Sequence, residues 1–262
     1  MTTDLTVYII AGNEQHNIAD CLRSVRGLNC PVLLTANNSH DQTVSIAIKT
    51  TPKITIIRND DQYNRHFAKW RNVGLPKIST SWVFYLDADE RLTPQLTAEI
   101  KETISQAPPT YQAYAIPRAN HFLGQPVRWG NTSPDYVKRL FYLPAFSGFT
   151  GTIHEEPVFD GQLGHLRQPI LHFTHTSLSQ MTHKTISWTD IQAQTLATDH
   201  HPPIVWWRFF RMAATKFLER FIRQKIFLDS TVGWISGIFE IFDTLFIYSR
   251  LWEIQNEKPR HL

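Results

Sequence analysis

Trp82-Val83-Phe84-Tyr85-Leu86 runs directly into Asp87-Ala88-Asp89-Glu90-Arg91. An uninterrupted apolar run of this length reads as a strand buried on both faces, and an acidic turn follows it. Upstream, Leu5–Ala11 is a second such run. Ile18, Cys21, Leu22 and Val25 then recur at helical spacing. Short strands are expected at residues 32–35 and 54–57, and helices at 43–49 and 67–75. Apolar strands alternating with helices predict an α/β fold with a parallel sheet covered on both faces. Such sheets bind ligands at the carboxyl ends of their strands. That singles out residues 12–17, 36–41 and 87–91.

Downstream, Pro94 opens a helix with Leu96, Ile100 and Ile104 on one side. Proline is favoured at the first helical position, where its missing N–H costs nothing. Pro108-Pro109 breaks the chain, residues 111–173 turn β-like with 136–143 the clearest strand, and Leu178–Thr198 reads as a helix. There is no internal repeat.

Two carboxylates two residues apart at a strand end, Asp87 and Asp89, can face one hard cation. Mg²⁺ and Mn²⁺ take oxygen ligands and bridge carboxylates to substrate phosphates. Such an ion offsets charge building on a departing diphosphate. The plain alternative is a solvated acidic turn capping the next helix.

The 262 residues are 42% apolar and 19% charged, enough for a packed core. A formal charge of +3 is too small to imply nucleic-acid binding. Cys21 and Cys30 are too few for a disulfide scaffold and read as ordinary thiols of a reducing compartment. No secretory signal opens the chain, so a cytoplasmic location is expected. No uncharged run reaches about 18 residues, so no transmembrane helix is expected.

Several stretches together resemble family 2 glycosyltransferases, and among them bacterial lipopolysaccharide core glucosyltransferases. They are Ile9-Ile10-Ala11-Gly12-Asn13-Glu14, Cys21-Leu22-Arg23-Ser24-Val25, Arg71-Asn72-Val73-Gly74-Leu75 and the run from Trp82 to Arg91. Further on come Ile116-Pro117-Arg118-Ala119-Asn120-His121-Phe122-Leu123-Gly124, Gly151-Thr152-Ile153-His154-Glu155 and Arg250-Leu251-Trp252-Glu253. The resemblance implies a GT-A fold, a Rossmann-like nucleotide-binding architecture with a mostly parallel central sheet. It implies a nucleotide-sugar half at residues 1–107, an acceptor half at 108–200, and a helical extension at 201–262. It implies that Asp87 and Asp89 hold Mn²⁺ or Mg²⁺ and, with Ala88, the donor diphosphate. Ala11, Asn13, Glu14, Arg71 and Asn72 would line the nucleotide pocket, and His154 and Glu155 would stand near the acceptor. One departure is evident. Where the family carries an Asp at the end of the second strand, this chain reads Ala36-Asn37-Asn38-Ser39-His40-Asp41. Asn37, Asn38 or Asp41 could replace the lost carboxylate, and Asn38 tolerates the left-handed turn that glycine would supply.

An inverting transfer needs a base for the acceptor hydroxyl. Glu155 is the first candidate and Glu156 the second, with His154 orienting a carboxylate or binding phosphate. The alternative is a polar hairpin. His172 and His175 could share a metal, but such residues are more often packed polar groups. Asp135 and Arg139 either contact the acceptor or are solvated, and Trp129 either stacks on a sugar or packs.

Trp206, Trp207, Phe209, Phe210, Phe217 and Phe221 interleave with Arg208, Arg211, Lys216, Arg220 and Arg223. A helix of this composition suits a membrane interface, aromatics in the headgroup boundary and cations on anionic lipid. Asp229, Glu240, Asp243 and Arg250 punctuate the apolar stretch after it, which argues for surface-lying helices. The expected protein is a metal-dependent transferase, peripheral on the inner face of the cell membrane. It would move sugar from a nucleotide-sugar, such as a UDP-hexose, to a lipid-linked saccharide. The competing readings are a non-catalytic nucleotide-sugar scaffold and a nucleotidyltransferase. A dinucleotide oxidoreductase is disfavoured, because the first strand lacks a glycine-rich phosphate turn. Oligomeric state is not encoded legibly.

Overall fold

The computed structural model describes residues 3–60, 67–106, 108–130, 135–151 and 155–257. In chain order the elements are β1 (Leu5–Ala11), α1 (Ile18–Ser24), β2 (Val32–Asn37), α2 (Thr43–Thr50), β3 (Thr55–Asn59), α3 (Phe67–Asn72), β4 (Trp82–Asp87), β5 (Glu90–Leu92) and α4 (Pro94–Ile104). There follow β6 (Ala113–Phe122), β7 (Gln125–Pro126), β8 (Asp135–Tyr142), β9 (Phe146–Thr150), β10 (Glu156–Phe159), β11 (Leu163–His165) and β12 (Ile170–Thr174). The helices α5 (Leu178–Thr198), α6 (Trp206–Phe217) and α7 (Ser230–Asn256) complete the described chain.

The sheet order is β3-β2-β1-β4-β8-β6-β12-β5, with β7 and β11 both paired to β6. The block β3-β2-β1-β4 is parallel, and β8 joins it antiparallel to β4. This is the α/β architecture expected of a GT-A fold. A two-stranded ribbon, β9 with β10, stands apart from the sheet.

Strands β1 and β4 are apolar but for Thr6 and the terminal Asp87 because both faces are covered. On one face Val7, Ile9, Phe84 and Leu86 pack with Ile18 and Leu22 of α1 and with Leu96 and Ile100 of α4. On the other face lie Tyr8, Leu33, Val83, Tyr85, Phe141 and Phe146. Pro94 stands at the start of α4, where the Thr93 hydroxyl accepts the Leu96 N–H at 3.0 Å. Asn38, just past β2, has φ +46°, so an asparagine does supply the left-handed turn.

The chain divides into two compact units, Met1–Ala119 with Pro134–His172, and Asn120–Ser133 with Phe173–Leu262. In the second, α5 packs on α7. Ala193 and Leu251 are both fully buried between these helices. Arg250 of α7 donates to Asp190 of α5 at 2.9 Å. The segment Ile226–Asn256 holds a helix long and apolar enough to cross a membrane by length and composition. The criterion of an uncharged run overlooked it, because Glu240 and Asp243 interrupt the stretch. Glu240 is spoken for by an ion pair with Arg220.

Candidate active site

The acidic turn is built from buried charge. Strand β4 ends at Asp87, and three residues later the chain enters β5 at Glu90. The Asp87 N–H donates to Glu90 Oε2 at 3.0 Å, so Glu90 closes the turn on itself. Arg91 locks it from outside, donating to the carbonyls of Ala88, Glu90 and Asn17, each at 2.8 Å. Glu90 is fully buried. A carboxylate there requires a cation, and Arg139 of β8 supplies it: its Nη2 donates to Glu90 Oε1 at 2.6 Å and also to Asp87 Oδ2. Arg71 Nη1 stands 3.2 Å from Asp87 Oδ1. Burial alone would raise the Asp87 pKa, but Arg139 and Arg71 outweigh it and hold the carboxyl well below the usual range. For Glu90 burial wins over Arg139, and its pKa lies above the ordinary value.

Arg71 is positioned from beneath the sheet. The Tyr85 hydroxyl donates to the Arg71 carbonyl at 3.0 Å, and the Tyr8 hydroxyl donates to the Trp70 carbonyl at 3.1 Å while accepting the Gly74 N–H at 2.9 Å. Both rings are buried, so burial raises both pKa values and keeps these donors protonated. With α3 anchored, the guanidinium reaches Asp87 and, through Nε, Glu155 at 3.1 Å.

A cleft of about 290 Å³ opens at the carboxyl edge of β1, β2 and β4. Its lining includes Ile10, Glu14, Asn37, Arg71, Asp87, Asp89, Glu155 and His172. A second cleft of about 320 Å³ shares Arg71, Asp87 and Glu155 and continues past Arg118, Tyr136, Lys138 and Glu156. Asp89 and Asp87 differ in what they face. Asp87 is taken up by two arginines, whereas Asp89 Oδ2 lies 3.5 Å from His172 Nε2. Among the described residues no group of three or more His, Cys, Asp or Glu side chains could hold a metal. An Asp89–His172 pair leaves the remaining ligand positions to substrate oxygens and water, which is how such ions engage phosphates.

Of the expected site residues, Ala11, Glu14, Asn37, Arg71, Asp87, Ala88, Asp89 and Glu155 line the first cleft. Asn13, Asp41 and Asn72 do not, because each side chain is consumed locally. Asn13 accepts the His40 N–H at 2.8 Å. Asp41 accepts the Thr43 N–H at 2.9 Å and the Gln15 N–H at 3.1 Å. Asn72 exchanges two hydrogen bonds of 2.8 Å with the Phe149 backbone. Glu156 sits at the rim of the second cleft, paired with Lys138 at 2.9 Å. His154 lies outside the described residues. Glu90 was not singled out as a site residue from sequence; Arg139, offered as an acceptor contact or a solvated charge, is a buried charge that lines the second cleft. His172 lies beside Asp89 in the first cleft, whereas sequence had offered it as a metal-sharing partner of His175 or a packed polar group.

Fold and cleft together define an α/β protein with a cleft at the carboxyl ends of its parallel strands, the place where such sheets bind ligands. The chain belongs to glycosyl transferase family 2: residues 6–187 match that family. It is similar to a glycosyltransferase of Rickettsia typhi, 26% identical over 95% of this chain and 87% of the relative. It is also similar to the lipopolysaccharide core biosynthesis glycosyltransferase LpsC of Rhizobium meliloti, at 22% identity over 89% and 86%. Among solved structures it resembles Staphylococcus aureus TarS 1-349 in complex with UDP-GlcNAc, at 12% identity over 92% of this chain and 81% of that one, TM-score 0.48.

Proposed function

We propose that the protein is an inverting, metal-dependent glycosyltransferase that moves a hexose from a UDP-hexose onto a hydroxyl of a lipid-linked saccharide. One observation carries this reading: Glu155 belongs to the walls of both clefts, and Arg71 ties it to the acidic turn. A donor in the first cleft and an acceptor in the second would meet at that carboxylate. Glu155 then takes the proton from the attacking hydroxyl as the sugar leaves, with Glu156 the reserve and His154 an orienting group.

At the other end of the reaction, Arg71 is placed to release Asp87 and Glu155 and turn towards diphosphate oxygens, a better bidentate match than a shared carboxylate. Asp89 and His172 are the residues that fit Mn²⁺ or Mg²⁺, and an imidazole in the pair suits Mn²⁺ better. The bound ion supplies charge stabilisation on the departing diphosphate. No covalent nucleophile is needed for direct attack on an oxocarbenium-like centre.

The division of labour proposed for the chain is a catalytic part in residues 1–200 and a membrane-seating part in 201–262. Trp206 is 75% and Phe210 72% exposed on α6, and Trp234, Ile238, Phe242 and Phe246 form an exposed stripe on α7. A monomer rarely leaves so much aromatic surface in water. The Arg208 and Arg211 guanidinium groups lie 5.5 and 5.8 Å from the Trp207 ring centroid, cations beside an aromatic as at a headgroup boundary. The charges of α7 and its packing on α5 and α6 favour lying at the inner surface of the cytoplasmic membrane over crossing it.

The test is a thermal-shift panel of nucleotide-sugars with and without Mn²⁺, since a ligand that binds the folded state raises Tm. A UDP-sugar that shifts Tm only with the ion supports the reading, and a panel without a hit removes it.

A further inference from the structure

We propose that the groove between α5 and α7 is a phospholipid head-group site, selective for a head that carries both a phosphate and a primary ammonium, as ethanolamine phospholipids do. This rests on the membrane seating proposed above and names the lipid chemistry that the helical unit recognises.

The groove lies wholly within the second unit and has a volume of about 270 Å³. Ile186 of α5 and Phe246 of α7 give it apolar walls, and these side chains are 61% and 58% exposed. Asp190, Arg250 and Glu253 give it a polar side. Thr189 lines it as well, and its hydroxyl is buried without a partner. A buried hydroxyl left unpaired is unfavourable, and a polar ligand atom in the groove would satisfy it.

Its place along α7 points to a lipid surface. Trp234, Ile238, Phe242 and Phe246 are exposed at four-residue intervals, so they share one face of the helix. The next step of that stripe is Arg250. The face therefore turns from aromatic to charged at the groove, the change that marks the boundary between acyl chains and head groups. An acyl chain leaving the groove has Phe246 and the rest of the stripe to lie against.

The charges decide which head group fits. Arg250 donates through Nε to Asp190 Oδ1 at 2.9 Å and through Nη1 to Glu253 Oε2. Two carboxylates around one guanidinium leave an excess negative charge, which disfavours a purely anionic head. Each carboxylate keeps its second oxygen, Asp190 Oδ2 and Glu253 Oε1, to accept an ammonium N–H. Arg250 Nη2 is left to donate to a phosphate oxygen. A phosphate joined through two carbons to an ammonium answers both needs at once. A choline head has the same charges, but its nitrogen carries no N–H to donate.

The experiment measures partitioning onto vesicles by sedimentation, for the wild type and for Asp190→Asn with Glu253→Gln. One vesicle set is phosphatidylcholine, a second is equal parts phosphatidylcholine and phosphatidylethanolamine, and a third is phosphatidylcholine with diacylglycerol. All three carry the same share of phosphatidylglycerol, so the attraction of basic side chains is constant. The wild type should bind the ethanolamine set about tenfold more tightly than the choline set, the gain that one charge-assisted hydrogen bond supplies. The double variant should bind these two sets equally. Diacylglycerol loosens lipid packing but has neither phosphate nor ammonium, so its gain should fall well short of that from ethanolamine. That comparison uses the wild type alone and decides the matter if the double variant does not fold. Equal binding of wild type to the choline and ethanolamine sets, an equal gain from diacylglycerol, or a preference that the double variant keeps overturns the proposal. A double variant that keeps the preference but loses self-association in solution would assign the groove to a second copy of the chain. Binding to no vesicle set removes the membrane seating itself, whereas binding without preference removes the head-group site alone, so the two failures are separable.

Discussion

Removing Arg139 isolates what the buried triad does. In Arg139→Leu the fully buried Glu90 keeps one hydrogen bond, from the Asp87 N–H, and loses its strongest cation. Breaking a buried ion pair from one side typically costs about 3–5 kcal/mol. Glu90 has a way out, because it can bind a proton. Neutralising a carboxyl of ordinary pKa near 4.3 at pH 7 costs about 4 kcal/mol, so the penalty there cannot much exceed that figure. The sign follows from linkage. In the variant the folded pKa of Glu90 rises further above its unfolded value, so the folded state binds the proton more tightly. Relative to wild type, whose Glu90 pKa is itself raised, the cost is therefore small up to the wild-type folded pKa and grows above it by about 1.4 kcal/mol per pH unit until the variant's folded pKa is reached. Urea titrations should find the variant less than about 1 kcal/mol below wild type at pH 5 and further below it, by up to about 4 kcal/mol, at pH 7. Arg139→Leu with Glu90→Gln should recover much of the loss at pH 7, since no carboxylate is left at position 90 and Asp87 keeps Arg71. Equal destabilisation at both pH values, or no recovery in the double variant, would refute this account of the turn.

Tyr85→Phe removes the donor beneath Arg71 and leaves that carbonyl without its partner, costing about 1–3 kcal/mol of stability. Its catalytic signature is a drop in kcat larger than that of Tyr136→Phe, whose ring stands at the open rim, and equal effects would argue against an anchoring role. Burial pushes the Cys30 thiol up to about 11 and raises Cys21 further. At pH 8 the native protein should therefore react with iodoacetamide about two orders of magnitude more slowly than a free thiol, and rapid labelling would contradict the packing. Arg208→Ser with Arg211→Ser should weaken sedimentation with mixed neutral and anionic phospholipid vesicles by about 30-fold, from about 1 kcal/mol per cation. Equal pelleting of variant and wild type would remove the electrostatic part of membrane seating.

Residues that shape the sheet were readable because burial on both faces forces a continuous apolar run, as in Leu5–Ala11 and in β4. Helix α5 was readable to its ends, with Ser177 capping it through the Gln180 N–H. The acidic turn was readable because a strand end predicts its place. What was not readable depends on where side chains far apart in sequence point. His172 meets Asp89 only because β12 runs antiparallel beside β5. Whether Arg139 was an acceptor contact or a solvated charge was left open, because strand alternation alone does not reveal that Glu90 waits opposite. Asn13, Asp41 and Asn72 have the chemistry of ligand contacts, but nearby backbone groups use it first, a competition that short polar side chains often enter. Helix α6 advertised its aromatic face, yet nothing in its own composition reveals that α7 and α5 would be its unit.

The central claim is that Glu155 deprotonates the acceptor where the two clefts meet. Its most direct test is turnover of the donor identified in the nucleotide-sugar panel, with Mn²⁺ and a saccharide acceptor, by wild type and Glu155→Gln. The account predicts that kcat falls about 10²–10⁴-fold while donor affinity stays within a few-fold of wild type. Undiminished turnover by Glu155→Gln would contradict it.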